Sequence, residues 1–416
     1  MSKILLIVCL ILSVTVAESQ SLEKEFPLSL TLEVTNPIDV AREHVMVIVP
    51  EEQIRKRNSD FNPNGFVVVD GEKEIASQFN RNDSQAKGIV FVLDKMYANE
   101  KRNVLIRYNP KANITREYTK RTQAELSHRT GGKWVNREYL DGEFKNVDFL
   151  QVPPEHKDHS WFIRYEGPGW ESDKVGYRFY LDQRNATDVF GKKTSDMILQ
   201  QVGQDGFDSY HNMQPWGMDV MKVGNSLGIG SIAVLQNGSA IRVEETDSVT
   251  CAIAENGPVY SSVVTDYYGW KHAAAKISLK STLMIHAGSR LTHQVLNITG
   301  KADQLCTGIG KDKLATVSSS KGDKTRFGYL ATYGKQSLNN DGLGVSVFFA
   351  PDDVIAFTED AHSHIVNLRA VNGKVHYYFL AAWALEPGGI ENEKQFKDYL
   401  NQVALELANP VRIKIK

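Results

Sequence analysis

The chain has 416 residues, of which 48 are Lys or Arg and 50 are Asp or Glu, so its formal net charge is only −2. This nearly neutral balance supplies no global field for nucleic acid or for an anionic membrane, and any anion selectivity must therefore be local. The length allows two or three domains with ample core.

The first predicted element is a signal peptide over residues 1–17. Lys3 supplies the positive charge, residues 4–12 are apolar, and Ala17 precedes a polar stretch. The apolar run is too short to span a bilayer as a helix, and no later segment is apolar enough to do so. We therefore expect a soluble, exported protein without membrane contact. Since no secretion-targeting tail domain is evident, we expect the periplasm in preference to the outside of the cell.

Five short apolar runs predict a small antiparallel β-sandwich over residues 24–112. The runs lie at residues 28–34, 45–49, 66–69, 89–93 and 104–108. The Asp70-Gly71 pair follows the third run, and this dipeptide is typical of a two-residue hairpin turn. A polar connector over residues 113–135 separates this domain from the rest of the chain.

Residues 136–416 are predicted to form a large antiparallel β-sandwich of the supersandwich kind, so the predicted fold class is all-β. Strand-like runs recur there with little helical periodicity, and several of them alternate apolar and polar residues as half-buried strands do. The Asn372-Gly373 pair predicts a hairpin between residues 363–371 and 375–383.

One C-terminal helix is expected within this second domain. Asn392 is a suitable N-cap, and Phe396, Leu400 and Val403 follow with helical spacing. The helix should end before Pro410, and a last strand is expected over residues 411–415.

Two cysteines, Cys251 and Cys306, remain after the signal peptide. An oxidising compartment permits a disulfide between them. Two separate buried thiols are an equally good interpretation, so nothing further is built on this pair.

Residues 161–231 gather titratable, aromatic and glycine residues at a density that sheet packing does not require. A cleft that grips a polar, anionic ligand does require them, so we interpret this segment as the wall and floor of a site. The chain has no nucleophile elbow, Walker loop, His-Glu-x-x-His or Cys-x-x-Cys motif, which argues against the enzyme classes that those motifs mark.

Tyr210 and His211 are the strongest catalytic candidates. In an extended chain they would point to opposite faces, whereas in a turn both could converge on one ligand. Histidine titrates near neutrality and a tyrosine can transfer a proton beside a cation, so the pair suits proton abstraction next to a carboxylate. The alternative is a structural tyrosine beside a surface histidine.

Four cations could hold a carboxylate or a sulfate. Arg164, Arg178 and Arg184 are suitable because a guanidinium can hold two oxygens at once. Lys222, which follows Trp216 and Asp219, could neutralise a substrate carboxylate. Structural ion pairs with neighbouring acids are the alternative for each of them.

Several aromatic and histidine side chains could line the same cleft. Trp170, Trp216 and Trp270 could stack on the flat C–H faces of pyranose rings, although aromatic residues in β-rich chains usually belong to the core. His364 could face the cleft opposite His211, and a partly buried structural role is its alternative.

His156 and His159, with Asp158 between them, offer metal-type ligands. Zinc or calcium could bind there, but the spacing fits no standard site, and a decorated surface loop is the alternative. No cofactor is certain, and a divalent cation is the one candidate.

The segment that carries these candidates also contains a string of longer motifs. They are Ile163-Arg164-Tyr165-Glu166-Gly167-Pro168-Gly169-Trp170-Glu171-Ser172-Asp173, Tyr177-Arg178, Asp182, Arg184-Asn185, Asp188-Val189-Phe190-Gly191-Lys192, residues 206–211, Trp216-Gly217-Met218-Asp219 and Ser226-Leu227-Gly228. On these motifs, and over nearly its whole mature length, the chain resembles a family of exported bacterial proteins from polysaccharide-utilisation loci. That family was long described only as a domain of unknown function.

Members of this family with an assigned activity are oligosaccharide dehydratases of ulvan breakdown. They remove water from a non-reducing terminal glucuronic or iduronic acid linked to sulfated rhamnose, and they leave a 4,5-unsaturated uronate. The resemblance therefore implies a carbon–oxygen lyase of carbohydrate metabolism. Its implied partners are uronate-terminated, sulfated oligosaccharides, with no role for nucleic acid or membrane.

The chemistry of β-elimination then suggests roles for the candidates. A cation neutralises the uronate carboxylate, a base removes the C5 proton, and an acid helps the 4-hydroxyl to leave. We expect His211 as the base and Tyr210 as the acid, with Tyr268 as the substitute acid. The expected carboxylate clamps are Arg164, Arg178 or Lys222, and a divalent cation at His156 or His159 could replace the arginines.

Two other functions would use the same residues. One is a polysaccharide lyase or glycoside hydrolase that acts on uronate-containing glycans, and the other is a carbohydrate-binding protein without turnover. Loss of one water with the glycosidic bond intact separates the dehydratase from the first, and any turnover separates it from the second.

Overall fold

A computed structural model describes residues 21–272 and 275–416, so the predicted signal peptide lies outside the described residues. The fold is all-β, as predicted. The chain divides into two compact units, Met1–Thr119 with Pro410–Lys416 and Lys120–Asn409. None of the helices in the described ranges is both long enough and apolar enough to cross a membrane.

The regular elements are short and numerous. The first thirteen strands are β1 (Leu28–Thr35), β2 (Arg42–Pro50), β3 (Phe66–Asp70), β4 (Lys73–Ile75), β5 (Ser77–Asn80), β6 (Gly88–Met96), β7 (Lys101–Tyr108), β8 (Thr122–Glu125), β9 (Ser127–Thr130), β10 (Lys133–Val135), β11 (Glu138–Leu140), β12 (Glu143–Asn146) and β13 (Phe149–Gln151). They are followed by β14 (Gly169–Ser172), β15 (Val175–Phe179), β16 (Thr187–Lys192), β17 (Gly217–Asp219), β18 (Ala233–Gln236), β19 (Ser239–Arg242), β20 (Ser248–Asn256), β21 (Tyr260–His272), β22 (Ala275–His286), β23 (Leu291–Thr299), β24 (Gln304–Gly310), β25 (Ala315–Ser320), β26 (Gly328–Gly334), β27 (Leu343–Phe349), β28 (Val354–Glu359), β29 (Ser363–Arg369), β30 (Lys374–Trp383) and β31 (Arg412–Ile415). The α-helices are α1 (Glu51–Arg57) and α2 (Glu393–Ala408).

The first unit is a β-sandwich. A five-stranded sheet of order β31-β1-β7-β3-β4 and a three-stranded sheet of order β2-β6-β5 share one core. Apolar residues from both sheets, such as Leu32, Val47 and Phe91, are buried in it. Asp70 lies opposite Lys73 at the tight turn between β3 and β4, which confirms the predicted hairpin.

The last strand completes the first unit. In β31, Ile415 pairs with Leu32 of β1. The predicted boundary assigned residues 136–416 to one domain, whereas the structure places residues 410–416 in the first unit. A local sequence pattern cannot reveal a partner strand at the other end of the chain. The predicted connector, residues 113–135, also differs from the structure, since β8 and β9 lie within it and pair with strands of the second unit.

The second unit is a layered β-structure. Its central sheet has nine strands, in the order β13-β20-β21-β22-β23-β30-β27-β26-β25. Two five-stranded sheets, β17-β16-β15-β14-β8 and β19-β18-β24-β29-β28, bury their apolar side chains against it in one core. Trp170, Val263, Leu305 and Phe379 represent the three sheets in that core.

Helix α2 packs on the central sheet in a second hydrophobic cluster. Asn392 caps it by accepting a hydrogen bond from the Gln395 backbone N–H at 2.9 Å, and Phe396 and Leu400 are buried against Phe348. The helix ends at Ala408. The predicted cap, buried face and end are therefore confirmed.

The turn at Asn372-Gly373 forms, but the predicted hairpin is wrong. Both residues have positive φ, at 52° and 71°, and Val371 and Lys374 exchange two backbone hydrogen bonds across them. The strands then separate, because β29 pairs with β24 and β28 while β30 pairs with β23 and β27. A two-residue turn determines only the pair that closes it, and burial of both strands in different layers determines the rest.

Cys251 and Cys306 are both buried free thiols, so they form no disulfide with each other. Burial raises the pKa of each thiol to about 12. Both are therefore protonated and unreactive near neutral pH.

A histidine is enclosed on the central sheet. His293 of β23 stacks on Tyr378 of β30, with ring centroids 4.1 Å apart. Its Nε2 is buried and has no hydrogen-bond partner among the described residues. Burial, reinforced by the positive charges of His376 and Lys374, lowers the pKa of His293 to about 3. The folded protein therefore requires the neutral ring.

Acid should destabilise the second unit through His293. The unfolded chain binds a proton at this residue near its ordinary pKa of ~6.5. The stability contribution is therefore complete above that pH and is lost as the pH falls towards the folded value of about 3. His293→Phe should narrow the difference in unfolding free energy between about pH 7 and about pH 4.5 by about 2–3 kcal/mol.

Urea titrations followed by tryptophan fluorescence measure this effect, since all six tryptophans lie in the second unit. His362→Phe, at an exposed histidine, serves as the control. A pH dependence that is the same in the wild type and in His293→Phe would contradict the role of His293.

Candidate active site

Strand register brings three charged residues to one face of the sheet β17-β16-β15-β14-β8. Arg178 of β15 lies directly opposite Asp188 of β16. Phe190, two residues after Asp188, lies opposite Asp219 of β17. Because side chains two apart on a strand share a face, Arg178, Asp188 and Asp219 converge.

Arg178 is the centre of this group, and its guanidinium is fully occupied. It donates to Asp188 Oδ2 from Nε at 3.1 Å and from Nη2 at 2.7 Å, and to Asp219 Oδ2 from Nη2 at 2.9 Å. Nη1 donates to Tyr210 Oη at 2.8 Å, and Nη2 donates to Tyr180 Oη at 3.2 Å. We refer to these five residues as the Arg178 cluster. Nη1 also donates to the Tyr165 carbonyl at 3.1 Å, so no N–H of Arg178 is left for the predicted role as a substrate clamp.

Within the Arg178 cluster, Asp188 binds a proton more readily than an ordinary aspartate does. Burial, and the nearby charge of Asp219, raise the pKa of Asp188 to about 7. Arg178 opposes this shift because it stabilises the ionised carboxylate. Asp188 therefore titrates in the range where many enzymes work.

Both tyrosines of the cluster keep their protons. Burial raises the pKa of Tyr180 and of Tyr210 well above the ordinary value, although Arg178 acts in the opposite direction. Tyr180 donates its hydroxyl proton to Asp188 Oδ2 at 2.9 Å. The Tyr210 hydroxyl accepts from Arg178, so its own proton is available for donation.

His211 lies at the exposed edge of the cluster. It ends the short 3-10 turn Ser209–His211, and its side chain is 42% exposed. Its Nε2 is 3.5 Å from Asp219 Oδ2. The hydrogen bond to Asp219 raises the pKa of His211, while partial burial opposes this. The turn brings Tyr210 and His211 together, with ring centroids 4.7 Å apart, as one of the two predicted conformations required.

A second guanidinium lies beside the cluster. Arg184 contacts Glu166 Oε1 at 2.7 Å, Asp182 Oδ2 at 2.5 Å and Asp158 Oδ1 at 2.7 Å, and it lies 3.9 Å from the centre of the Tyr180 ring. Its side chain is 22% exposed, so part of the guanidinium faces solvent. Arg184 is the cation of this group that a ligand can reach.

The loop that carries Glu166 has a strained backbone. His159, Trp161, Tyr165 and Glu166 all have positive φ, at 57°, 61°, 37° and 69°. Among the described residues, the other non-glycine residues with positive φ are Asn or Asp, apart from His44. Such strain in bulky residues costs on the order of 1–3 kcal/mol each, and it concentrates at functional sites.

Sequence reasoning gave no catalytic or binding role to Glu166, Tyr180, Asp182, Asp188 or Asp219. The alternation Arg178, Tyr180, Asp182 contained a signal, because these residues share a face along β15 and its continuation. The pairing of β15 with β16 and β17, which no local pattern reveals, adds the two aspartates.

Several predicted binding residues lie elsewhere. Arg164 is buried, where it pairs with Glu125 and donates to the Gln200 carbonyl at 3.0 Å. Lys222 lies 3.5 Å from Asp312. Each of these two cations therefore lies against a local acid, Glu125 for Arg164 and Asp312 for Lys222, and their roles as substrate clamps remain predictions.

Tyr268 and His364 also lie outside the Arg178 cluster. Tyr268 is 44% exposed, whereas its neighbour Tyr267 is buried in the core, so the two side chains point to opposite faces of β21. His364 belongs to β29 of the other five-stranded sheet, where its Nδ1 is 3.3 Å from Glu359.

Of the three predicted aromatic platforms, one lines a cavity. Trp170 and Trp270 are fully buried core residues, and the Trp170 indole N–H donates to Thr292 Oγ1 at 2.9 Å. Trp216 is partly exposed and, with Tyr210, lines a cavity of about 660 Å³. We call it the Trp216 cavity.

The predicted metal ligands separate. Buried His156 bonds through Nδ1 to Ser160 Oγ at 2.8 Å. Asp158, His159 and Glu166 do present ligand atoms within 4.8 Å of one another. Arg184, however, already contacts Asp158 and Glu166, so a metal ion would compete with its guanidinium. The donor set therefore fits a guanidinium better than a metal ion.

The stability of the second unit should depend on Arg178. Arg178→Met leaves Asp188 and Asp219 buried without their counter-charge, which should cost about 3–5 kcal/mol. Lys222→Met removes a partly exposed ion pair, and it should cost less than about 1 kcal/mol. Urea unfolding followed by tryptophan fluorescence compares the two, and equal losses would show that Arg178 is not a structural centre.

Comparison with solved structures gives matches of low sequence identity. An α-mannosidase from Enterococcus faecalis V583 matches at 10% identity with a TM-score of 0.46, over 93% of this chain and 46% of that protein. A glycosyl hydrolase family 38 protein from Enterococcus faecalis matches at 10% identity with a TM-score of 0.46, over 93% and 47%. A TPR-domain containing protein from Parabacteroides distasonis ATCC 8503 matches at 8% identity with a TM-score of 0.24, over 62% and 54%. The chain spans about half the length of each of these proteins.

No curated protein sequence matches the chain. Residues 34–413 match a protein family described as a domain of unknown function, DUF4861. The matched range contains the Arg178 cluster, His211 and the Trp216 cavity, and it extends over nearly all the described residues. The chain belongs to the DUF4861 family.

Proposed function

We propose that the protein is an oligosaccharide dehydratase. Its substrate is a non-reducing terminal uronic acid, and its product is the 4,5-unsaturated uronate with the glycosidic bond intact. The observation that carries the proposal is the exposed His211 imidazole, held on buried Asp219, beside a protonated Tyr210 that accepts from Arg178. The motifs that resemble known dehydratases contain all of these residues.

His211 is proposed as the base. Its bond to Asp219 orients the ring through Nε2 and leaves Nδ1 at the opposite edge to receive the C5 proton. The aspartate also stabilises the imidazolium that forms, as in other histidine–carboxylate pairs. The side chain of His211 is 42% exposed, so its imidazole is accessible to a substrate.

Tyr210 is proposed as the acid. When the C4–O bond breaks, its hydroxyl proton passes to the leaving hydroxide, and water departs. The phenolate that remains is stabilised by the Arg178 N–H at 2.8 Å. Arg178 thus acts on the leaving group through Tyr210, which replaces its predicted role as a carboxylate clamp.

Arg184 is proposed as the clamp for the uronate carboxylate. It is partly exposed, and its partner Asp158 is 38% exposed, whereas Glu166 and Asp182 are buried. A substrate carboxylate can therefore displace Asp158 and form a two-oxygen contact with the guanidinium. Neutralising that carboxylate makes the C5 proton more acidic.

Turnover should be visible as the ultraviolet absorbance of the new conjugated enol ether. With a uronate-terminated disaccharide, His211→Ala and Tyr210→Phe should each lower kcat by about 100-fold or more, because each removes one proton-transfer step. Tyr268→Phe, on an exposed face, serves as the matched control and should retain full activity.

Mass spectrometry of the products separates the alternatives. The dehydratase gives a product lighter by one water with both sugars still linked, whereas a hydrolase or an endo-acting lyase releases a shorter glycan. Cleavage of the linkage, or unchanged activity in His211→Ala, would refute the proposal.

The pH dependence should report His211. Asp219 raises the pKa of His211, so the neutral, basic form is complete only above that raised value, and kcat/KM should rise with pH through it. Asp219→Asn removes the bond that raises the pKa of His211. The rise of kcat/KM should therefore shift to lower pH, and the maximal rate should fall. Asp312→Asn, which changes the carboxylate beside Lys222, should leave the pH at which kcat/KM rises unchanged. If the rise of kcat/KM stays at the same pH in Asp219→Asn, His211 is not the group whose titration causes it.

A further inference from the structure

We propose that the Trp216 cavity binds an uncharged, hydroxyl-bearing sugar ring next to the reacting uronate, and that its two carboxylates exclude rings that carry sulfate. This proposal rests on the proposed function, because it assigns the neighbouring ring of the same substrate. It also departs from the sulfated partner that the family resemblance implies.

The cavity has the size and the floor of a sugar subsite. Its volume of about 660 Å³ lies within the range of roughly 300–1,000 Å³ that small ligands occupy. Ile198 and Val202 supply an apolar floor, and Trp216 supplies an aromatic wall that is braced edge-on by Phe190. Flat C–H faces of a pyranose pack well against such a wall.

The rim of the cavity offers hydrogen-bond acceptors. The Gln204 and Gln214 side-chain N–H groups donate to the backbone carbonyls of Gln200 and Ser209, at 2.8 and 2.7 Å. Their amide oxygens are therefore left to accept from a ligand. Asp205 accepts from Ser209 Oγ at 2.5 Å through Oδ1, so Oδ2 is its second acceptor.

The charge of the lining decides which rings fit. Among the residues that line the cavity are two carboxylates, Asp196 and Asp205, and no Lys, Arg or His. A carboxylate accepts hydrogen bonds from adjacent hydroxyl groups, whereas it repels a sulfate that cannot lose its charge. The cavity therefore favours an uncharged ring.

Tyr210 connects the cavity to the proposed chemistry. One side of its ring lines the cavity, while its hydroxyl accepts from Arg178 and its ring lies against His211. A ring bound in the cavity would thus contact Tyr210, which in turn contacts the proposed base, His211. The Tyr210 and His211 ring centroids are 4.7 Å apart, so a ring in the cavity would lie beside the proposed base, where the sugar linked to the reacting uronate is expected.

Two disaccharides test the proposal: glucuronic acid linked to rhamnose, and the same disaccharide with one sulfate on the rhamnose. Their Kd values are measured by isothermal titration calorimetry at constant ionic strength, on the His211→Ala protein so that turnover does not interfere. The unsulfated disaccharide should bind at least ~10-fold more tightly. Equal or tighter binding of the sulfated disaccharide, or no measurable binding of either, would overturn the proposal.

Variants assign the selectivity to the cavity. Asp196→Asn combined with Asp205→Asn should reduce the ratio of the two Kd values to less than ~3-fold, mainly because the sulfated disaccharide binds better. Trp216→Ala should weaken both ligands. Asp398→Asn, an exposed carboxylate paired with Lys394 on α2, is the matched control and should leave the ratio unchanged. A ratio that persists in the double variant would place the selectivity elsewhere and refute the proposal.

The two proposals can fail separately. Selective binding without any unsaturated product from the wild-type protein would refute the dehydratase activity and would support the subsite. Unsaturated product together with tighter binding of the sulfated disaccharide would refute the proposed subsite and would support the dehydratase activity.

Discussion

One buried guanidinium organises the candidate site. Arg178 is surrounded by Asp188 and Asp219 and by the hydroxyl groups of Tyr180 and Tyr210. A buried charge is tolerated only when it is paired and hydrogen-bonded, so these neighbours must keep their positions for the unit to remain folded. The same requirement places a carboxylate under His211 and a protonated phenol beside it. Stability and proposed chemistry thus depend on one set of contacts.

The electrostatics of the site follow from an excess of acids. Arg178 and Arg184 face five carboxylates between them, and these are Asp158, Glu166, Asp182, Asp188 and Asp219. Burial, and then the charge of Asp219, raise the pKa of Asp188, and the hydrogen bond to Asp219 raises the pKa of His211. A site of this kind gains or loses protons readily near neutrality. That property suits elimination of water, in which one proton is removed and another is delivered.

The fold class, the first-unit hairpin and the C-terminal helix could be predicted because each has a local signal. Asn392 and the spacing of Phe396 and Leu400 are examples. The partners of Arg178 could not be predicted, since Asp188 and Asp219 reach it only through strand register. His211 and Tyr210 were identified by residue type, and the 3-10 turn then brought them together. Arg164 and Trp170 are buried, and their burial could not be predicted because residue type alone does not distinguish a buried side chain from one that faces a ligand.

The return of the chain to its first unit has a consequence for biogenesis. β31 is the edge partner of β1, yet every residue of the second unit is translated between them. A nascent chain therefore exposes the free edge of β1 throughout synthesis of the second unit, and open strand edges invite intermolecular pairing. Folding of the N-terminal sandwich cannot be completed in order of translation. A holdase chaperone that shields this edge during synthesis should accordingly reduce aggregation of the nascent chain.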